Sequence, residues 1–289
     1  MTRFDRTLGW VVLGTLFLPI LLSSLTAHAS PALNVPVQVT SSPGEDFAPT
    51  VSLDGKIMVY VSDRSGILDL WLKHLGPGIQ PPDRRLTFHS AEDGNPEISP
   101  DGKRVAFVSH RSDPRGDIYI LDLSLQGEPI PVIQESGEER DPVWSTDQTA
   151  LFFSSRSSNI APLTIEKIEL KGGKRTEFLK PGGVNLSLSP DGKYLAFATG
   201  ETHSDLKIYS FENESIQVLE QGPFIDVSPR WSVDGKSLLF ARYQYDTSHD
   251  GQLGIEDNPD IWSVEFNAGH LGRFRQLTDS STYDFLPRP

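Results

Sequence analysis

Residues 96–123 read PEISPDGKRVAFVSHRSDPRGDIYILDL, and this stretch decides the fold. It opens with alternating apolar and polar residues that end at Asp101-Gly102. Asp-Gly between two such runs predicts a tight hairpin, because both of these residues can take positive φ. The dense apolar run RVAFVS follows and is typical of a strand that is covered on both faces. DIYILDL then predicts a third strand, so the stretch encodes three antiparallel strands.

The same phrase recurs along the chain at nearly constant spacing. Its serine occupies five positions that are 47, 46, 44 and 43 residues apart, namely Ser52, Ser99, Ser145, Ser189 and Ser232. Each copy ends in a fourth, weaker strand, such as RRLTF or FRQLT. Four strands repeated every ~45 residues are the signature of a β-propeller blade. One such sheet buries both of its faces only when it is stacked between two others.

The repeats therefore predict an all-β protein, a β-propeller of about five four-stranded antiparallel blades. A lone strand at residues 37–40 precedes the first repeat, and residues 283–289 look like the opening of a sixth. An incomplete six-bladed propeller is the alternative. The equivalent second-strand residues Phe107 and Phe197 are expected to fill the core between blades.

Composition excludes several classes of protein. Apolar residues make up 37% of the chain, which is enough for a core, and the absence of Cys excludes disulfide scaffolds and thiolate metal sites. A net charge of −13 argues against nucleic acid and anionic lipid as partners. The sequence also lacks the Gly-x-Ser-x-Gly nucleophile elbow and the His motifs of zinc enzymes. We therefore expect a protein that is not an enzyme.

The N-terminus has the features of a secretory signal peptide. Arg3 and Arg6 precede an apolar core at residues 10–22, and Ala27-His28-Ala29 forms a cleavage site of the A-x-A type. The core is shorter than the ~20 residues of a membrane-spanning helix, which disfavours the alternative of a permanent anchor. We expect cleavage after Ala29, leaving a propeller domain at residues 30–289 in the periplasm or outside the cell, without a membrane span.

The phrase at residues 96–123 resembles the WD40-like (PD40) repeat of the TolB family. The resemblance extends over roughly residues 37–289 and implies a propeller fold and an exported protein. TolB itself carries an α/β domain before a six-bladed propeller. Only a few residues separate the signal from the first repeat here. We therefore expect a TolB-like propeller without that domain.

An acidic insertion in the fifth repeat resembles a calcium loop. Residues 246–257 place Asp, Ser, Asp, Gly and Asp at positions 1, 3, 5, 6 and 12, close to the EF-hand pattern. The candidate Ca²⁺ ligands are Asp246, Ser248, Asp250 and Asp257 through their side chains and Gln252 through its carbonyl. Calcium would have a structural role, because it would hold three repelling carboxylates together. The alternative is a surface loop that binds no ion.

A row of acidic residues lies three positions before the repeat proline, except in the fourth repeat, which has Gly183 at this position. Its members are Asp46, Asp93, Glu139, Asp226 and Asp284. Equivalent positions of a propeller form a ring, so these acids are expected to surround one end of the central channel and attract a basic partner. The alternative is that they pair with the arginines at the ends of the second strands as structural bridges, the candidates being Arg64, Arg111 and Arg156.

Together these features predict an exported, non-catalytic scaffold for protein–protein binding. Its partner is expected to be a protein, basic or associated with the cell envelope. The alternative is a channel-centred hydrolase, or a propeller that binds or acts on carbohydrate. Unpaired carboxylates with raised pKa values in a deep pocket would favour catalysis, whereas acid–arginine bridges would favour the scaffold.

Overall fold

The computed structural model describes residues 38–124, 127–200, 204–248, 251–254 and 257–279. Twenty β-strands form in this part of the chain, and they build five sheets of four antiparallel strands each. The protein is a five-bladed β-propeller, as the repeat predicts. Residues 38–40 form no strand, in contrast to the strand expected at residues 37–40. The predicted signal peptide and residues 283–289 lie outside the described residues.

The strands of each blade follow one another in the sheet in chain order. Blade one contains β1 (Asp46–Val51), β2 (Ile57–Ser62), β3 (Asp69–His74) and β4 (Arg84–Arg85). Blade two contains β5 (Asp93–Ile98), β6 (Arg104–Ser109), β7 (Asp117–Asp122) and β8 (Ile130–Pro131). Blade three contains β9 (Glu138–Trp144), β10 (Ala150–Arg156), β11 (Thr164–Glu169) and β12 (Arg175–Leu179). Blade four contains β13 (Val184–Leu188), β14 (Tyr194–Ala198), β15 (Leu206–Ser210) and β16 (Ser215–Val218). Blade five contains β17 (Ile225–Trp231), β18 (Ser237–Tyr243), β19 (Asp260–Asn267) and β20 (His270–Gln276).

Neighbouring blades meet through their first strands. β1 contacts β5, β5 contacts β9, β9 contacts β13, and β13 contacts β17. The fourth strands contact the third strands of their own sheets, so the first strands lie nearest the axis and the fourth strands lie at the periphery. Within the described residues, no comparable contact joins β17 to β1. The four junctions from blade one to blade five therefore carry the packing between blades.

The core lies in these junctions. Phe107 is fully buried among aliphatic side chains of blades one and two, and Phe197 is 1% exposed between blades three and four. Both occupy the core positions that the repeat predicts. Trp144 and Trp231 are also buried, and their indole N–H groups donate to carbonyl oxygens of the preceding blade. Each blade therefore covers its neighbour, which is why the sheets are stable only as a stack.

The serine and aspartate of the repeat hold the first hairpin of every blade. In blade two, the Ser99 hydroxyl donates to the Asp101 carboxylate (2.7 Å) and accepts from the Arg104 amide (2.9 Å). The amide of Gly102 donates to the Ser99 carbonyl (2.8 Å), and among the turn residues only Gly102 takes positive φ. The predicted hairpin forms between β5 and β6, and of its Asp-Gly pair only the glycine takes positive φ. The Asp101 carboxylate accepts from the Lys103 amide within the turn (3.1 Å).

A β-bulge interrupts the first strand of every blade. It places a non-glycine residue in the left-handed region, at Ala48, Asn95, Asp141, Asn185 and Ser228. The side chain of Asp141 accepts from the Asn95 amide group (2.9 Å) and from the backbone amide of Asn185 (2.8 Å), so it joins three blades near the axis. The sequence signal for the bulge is Ala, Ser, Asn or Asp directly before the repeat proline, or before Leu186 in blade four. Asn and Asp tolerate this conformation better than other non-glycine residues.

Candidate functional site

The acidic row lies where the first strands begin. Asp46, Asp93 and Glu139 stand opposite serines of the second strands, and Asp226 stands opposite Arg242. Asp93, Glu139 and Asp226 are at most 1% exposed. Because the first strands surround the axis, the four residues lie at the same end of it. They form a buried row rather than an open acidic rim; Asp284, the fifth candidate, is outside the described residues.

Arginines of the second strands neutralise the acids of blades one and two. Arg64 contacts the Asp46 carboxylate at 3.0 Å, and Arg111 contacts that of Asp93 at 3.1 Å. Each arginine lies two residues beyond the serine that pairs with the acid. A two-residue step returns the side chain to the same face of a strand, so arginine and acid meet. These pairs have the geometry of structural bridges.

Arg156 of blade three contacts a different acid from the one expected. It lies only one residue beyond Ser155, which is the cross-strand partner of Glu139. A one-residue shift turns a side chain to the opposite face of the sheet. The Arg156 guanidinium accordingly pairs with Glu138. The expectation that Arg156 is in register with Arg64 and Arg111 is therefore wrong, because Arg156 lies one residue closer to the serine of its repeat.

Glu139 is instead paired with Arg175 of β12, the outermost strand of the same blade, at 3.1 Å. Arg175 also contacts the carboxylates of Glu135 (3.0 Å) and Glu166 and donates to the hydroxyl of Ser155 (2.9 Å). One arginine thus forms ion pairs with three glutamates. Sequence reasoning missed Arg175 because its strand belongs to the periphery and only the length of its side chain brings it to the inner strands.

In blade five, Arg242 neutralises the acid from directly across the hairpin. Its guanidinium contacts both carboxylate oxygens of Asp226, at 2.7 and 2.8 Å, and Glu220 at 2.9 Å. The residue is 4% exposed and lies over the ring of Phe224 (3.7 Å to the centroid). No pattern in the repeat pointed to this residue, which sits where the other blades have Ser or Ala.

The carboxyl of Glu139 differs electrostatically from that of Asp46. Burial raises the pKa of Glu139 to about 7, a shift that Arg175 opposes and the charges of Asp117 and Glu135 increase. Burial also raises the pKa of Asp117, at the start of β7 in blade two. For Asp46, burial acts in the same direction, but hydrogen bonds from Ser62, Ser42 and Arg64 outweigh it and lower the pKa. At the junction of blades two and three, burial therefore favours the protonated forms of Glu139 and Asp117.

A polar cavity of about 290 Å³ opens beside Glu139, lined by residues of blade three and of the segments next to its strands. Glu135, Glu139, Glu166 and Arg175 contribute to its wall, together with Ser155 and Thr164. Its volume is near the lower limit for small-ligand pockets, ~300 Å³. Its wall also includes Glu177, Arg156 and Lys180, so the cavity presents charges of both signs.

The insertion in blade five folds around its own carboxylates. Asp246 accepts from the Gly251 amide (2.8 Å), which links positions 1 and 6 of the predicted calcium loop. Asp257 is fully buried and accepts from the amides of Ser248 (2.8 Å) and Gly254 (2.9 Å). Burial alone would raise the pKa of Asp257, but these backbone hydrogen bonds outweigh it and lower the pKa.

The remaining candidate ligands are only partly placed. Gln252 is exposed in the loop, and Asp250 lies outside the described residues. Within the described ranges, no group of three or more Asp, Glu or His side chains is arranged to hold a metal ion. The described carboxylates of the loop are satisfied by its own amides, and calcium would share or displace those hydrogen bonds.

Five four-stranded blades around an axis define the class as a β-propeller. Residues 71–250, more than half of the chain, match the family described as PD40, the TolB beta propeller domain. The chain belongs to this family. No curated protein matches the chain.

Solved structures share the fold at low sequence identity. A putative TolB from Agrobacterium tumefaciens is 20% identical with a TM-score of 0.65, and the match covers 84% of each chain. TolB from Acinetobacter baumannii is 20% identical with a TM-score of 0.58, over 84% of this chain and 60% of that one. An oligogalacturonate lyase from Vibrio parahaemolyticus is 14% identical with a TM-score of 0.55, over 84% and 81%. The fold is therefore shared with TolB proteins and with an oligogalacturonate lyase.

No helix in the described part of the chain has the length and apolar character needed to cross a bilayer.

Proposed function

We propose that the protein is an exported, non-catalytic β-propeller that binds a basic protein partner. The observation that carries this proposal is the burial of the acidic row in arginine bridges, which occurs in blades one, two, three and five. Carboxylates held in this way stabilise a rigid scaffold rather than remaining available as a catalytic pair. Membership of the TolB propeller family and a net charge of −13 support a protein partner of opposite charge.

The binding proposal is tested with a purified partner. The immobilised propeller is exposed to an envelope extract, a retained protein is identified and purified, and its affinity is measured over a series of salt concentrations. We expect a partner with a basic surface and an affinity that falls as salt rises, because salt screens exposed charges. An affinity that does not depend on salt would contradict the electrostatic part of the proposal.

Export is tested by sequencing the N-terminus of the mature protein. We propose cleavage after Ala29, so the first residue is expected to be Ser30. Recovery of the protein with the apolar segment at residues 10–22 still attached would contradict this processing.

A hydrolase is the second candidate, and the junction of blades two and three favours it. Glu139 and Asp117 both have raised pKa values, as general acids commonly do, and Glu139 lines a cavity. Turnover of a panel of fluorogenic glycosides that is abolished in Glu139→Gln would support it. If the wild type and Glu139→Gln both show only the background rate, the result contradicts the hydrolase and favours the binding scaffold.

We also propose that the loop at residues 246–257 binds Ca²⁺ as a structural ion. Addition of millimolar Ca²⁺ to chelator-treated protein is expected to raise the melting temperature, because the ion binds the folded loop and not the unfolded chain. Asp250→Ala is expected to abolish the rise, whereas Asp191→Ala, at a turn of blade four, retains it. Identical melting curves with and without Ca²⁺ would overturn the assignment.

A further inference from the structure

A buried aspartate begins the third strand in blades one, two and five, at Asp69, Asp117 and Asp260. In blade one, Asp69 accepts from Arg85 at 2.7 Å and from the hydroxyl of Thr87 at 3.3 Å. In blade five, Asp260 accepts from the side-chain amide of Gln276 at 3.0 Å. In these two blades, the donors therefore come from the end of the fourth strand and from the residues that follow it.

Blade two has no side-chain donor at the equivalent positions. Pro131 takes the place of Arg85, because each lies opposite the third residue of the third strand in its blade. Ile133, two residues further along, takes the place of Thr87. Neither proline nor isoleucine has a side-chain group that donates a hydrogen bond. Asp117 therefore lacks the donors that blades one and five provide for this aspartate.

Asp117 and Glu139 each retain one buried oxygen without a hydrogen-bond partner among the described residues. These atoms are Oδ2 of Asp117 and Oε2 of Glu139. The other oxygen of each carboxyl is held, since Oδ1 of Asp117 accepts from the Glu135 amide at 3.2 Å and Oε1 of Glu139 accepts from Arg175 at 3.1 Å. Buried carboxyl oxygens are normally satisfied, so a donor to these two atoms has to be identified.

The two acids are neighbours across the junction of blades two and three. The amide of Glu139 donates to the carbonyl of Gly116, the residue directly before Asp117, at 3.2 Å. At the junction of blades one and two, by contrast, Arg111 contacts both carboxylate oxygens of Asp93, at 3.2 and 3.1 Å. A single proton satisfies two neighbouring carboxyls, because the neutral one donates and the ionised one accepts.

Charged and titratable groups of both blades surround the pair. Arg175 contacts Glu139, whereas the charges of Asp113 and Glu135 act on Asp117. The other such groups on the surrounding segments are His110 and Arg115 of blade two and Glu138, Arg156, Glu166, Glu177 and Lys180 of blade three. With all of these in place, burial raises the pKa of Glu139 to about 7 and also raises the pKa of Asp117. The environment therefore favours retention of a proton.

We propose that Glu139 and Asp117 share one proton and form a pH-sensitive joint between blades two and three. Glu139 carries the proton on Oε2 and donates it to Oδ2 of Asp117, which satisfies both oxygens. Loss of the proton leaves two buried anions side by side and weakens the junction. This inference concerns the stability of the propeller and does not depend on the proposed binding function.

The first test compares melting temperatures at pH 8 and pH 5. Glu139→Gln keeps an oxygen for Arg175 and provides an N–H donor for Asp117 at every pH. We therefore expect this variant to melt higher than the wild type at pH 8, and we expect the difference to shrink at pH 5, where the wild type holds its proton. Asp93→Asn is the matched control and is expected to melt lower than the wild type at pH 8, because it removes the charge that Arg111 neutralises.

The second test follows the carboxyl carbons of labelled Asp and Glu by NMR over a pH series. In the wild type, Asp117 and Glu139 are expected to respond together, with a common midpoint near 7. Asp117→Asn is expected to lower the midpoint of Glu139 by about one pH unit or more, because it removes a neighbouring negative charge. Asp122→Asn, at the other end of β7, is expected to leave that midpoint unchanged.

Three results would overturn the proposal. Separate midpoints in the ordinary range for the two carboxyls would indicate that buried water satisfies two ionised groups. An unchanged midpoint of Glu139 in Asp117→Asn would show that the two carboxyls are not coupled. A folded Glu139→Gln protein that melts below the wild type at pH 8 would show that the junction needs the negative charge of Glu139. The wild-type titration decides the question even where a variant does not fold.

Discussion

Replacing Arg242 with alanine is expected to lower the free energy of unfolding by about 3–5 kcal/mol, measured by chemical denaturation. The guanidinium is the only cation that the structure places on Asp226 among the described residues, and Asp226 is fully buried. Removing it leaves a buried carboxylate without compensation and opens a gap beside the ring of Phe224. The loss is expected to shrink at low pH, because Asp226 is then protonated.

Two variants separate the ion pair from simple packing. The double change Asp226→Leu with Arg242→Met is expected to recover much of the stability, since apolar groups of similar size replace a buried pair at little cost. Arg230→Ala in the same blade removes hydrogen bonds to carbonyl oxygens only and is expected to cost about 1 kcal/mol. An Arg242→Ala protein as stable as Arg230→Ala would show that the buried pair contributes nothing specific.

Truncating Phe197 to alanine is expected to cost about 3–5 kcal/mol, again by chemical denaturation. The ring is 1% exposed and packs between blades three and four with Phe152 and Leu195. Neighbouring sheets cannot collapse into the space because each is held on its other face by the next blade.

Phe88→Ala is the matched control for this truncation. It removes the same number of atoms from a side chain that is 74% exposed, so its cost is expected to stay below about 1 kcal/mol. Equal losses in the two variants would show that Phe197 does not belong to a packed junction between blades.

The repeat predicted the blades because its signals are local. A serine, an aspartate and a glycine within four residues hold each hairpin through their own hydrogen bonds, as Ser99, Asp101 and Gly102 do in blade two. The pattern of apolar and polar residues in the strands after each turn specifies which side chains pack in the junctions between blades. These contacts involve neighbours in the chain or in the next repeat, so spacing alone locates them.

Which arginine pairs with each acid of the row depends on strand register and on side-chain length. The spacing of the repeat specifies neither. The ion pairs of Arg64 and Arg111 with their acids follow from the two-residue period of a strand. Arg156 is shifted by one residue and therefore pairs with Glu138. Arg175 contacts Glu139 from the outermost strand of the same sheet, and no sequence pattern indicates that contact. The cluster of Arg175 with three glutamates becomes visible only in the folded structure.

The burial of this acidic row is most directly tested by the pKa of the Glu139 side chain, measured by NMR of the labelled carboxyl carbon over a pH series. The buried site predicts a midpoint at about 7. Because the folded protein then holds this proton more tightly than the unfolded chain, stability is expected to fall as the pH rises from about 4.5 to about 7. A midpoint at or below 4.5 would show that the contact with Arg175 outweighs burial, so that Glu139 is fully ionised at neutral pH, and would contradict this account of the junction.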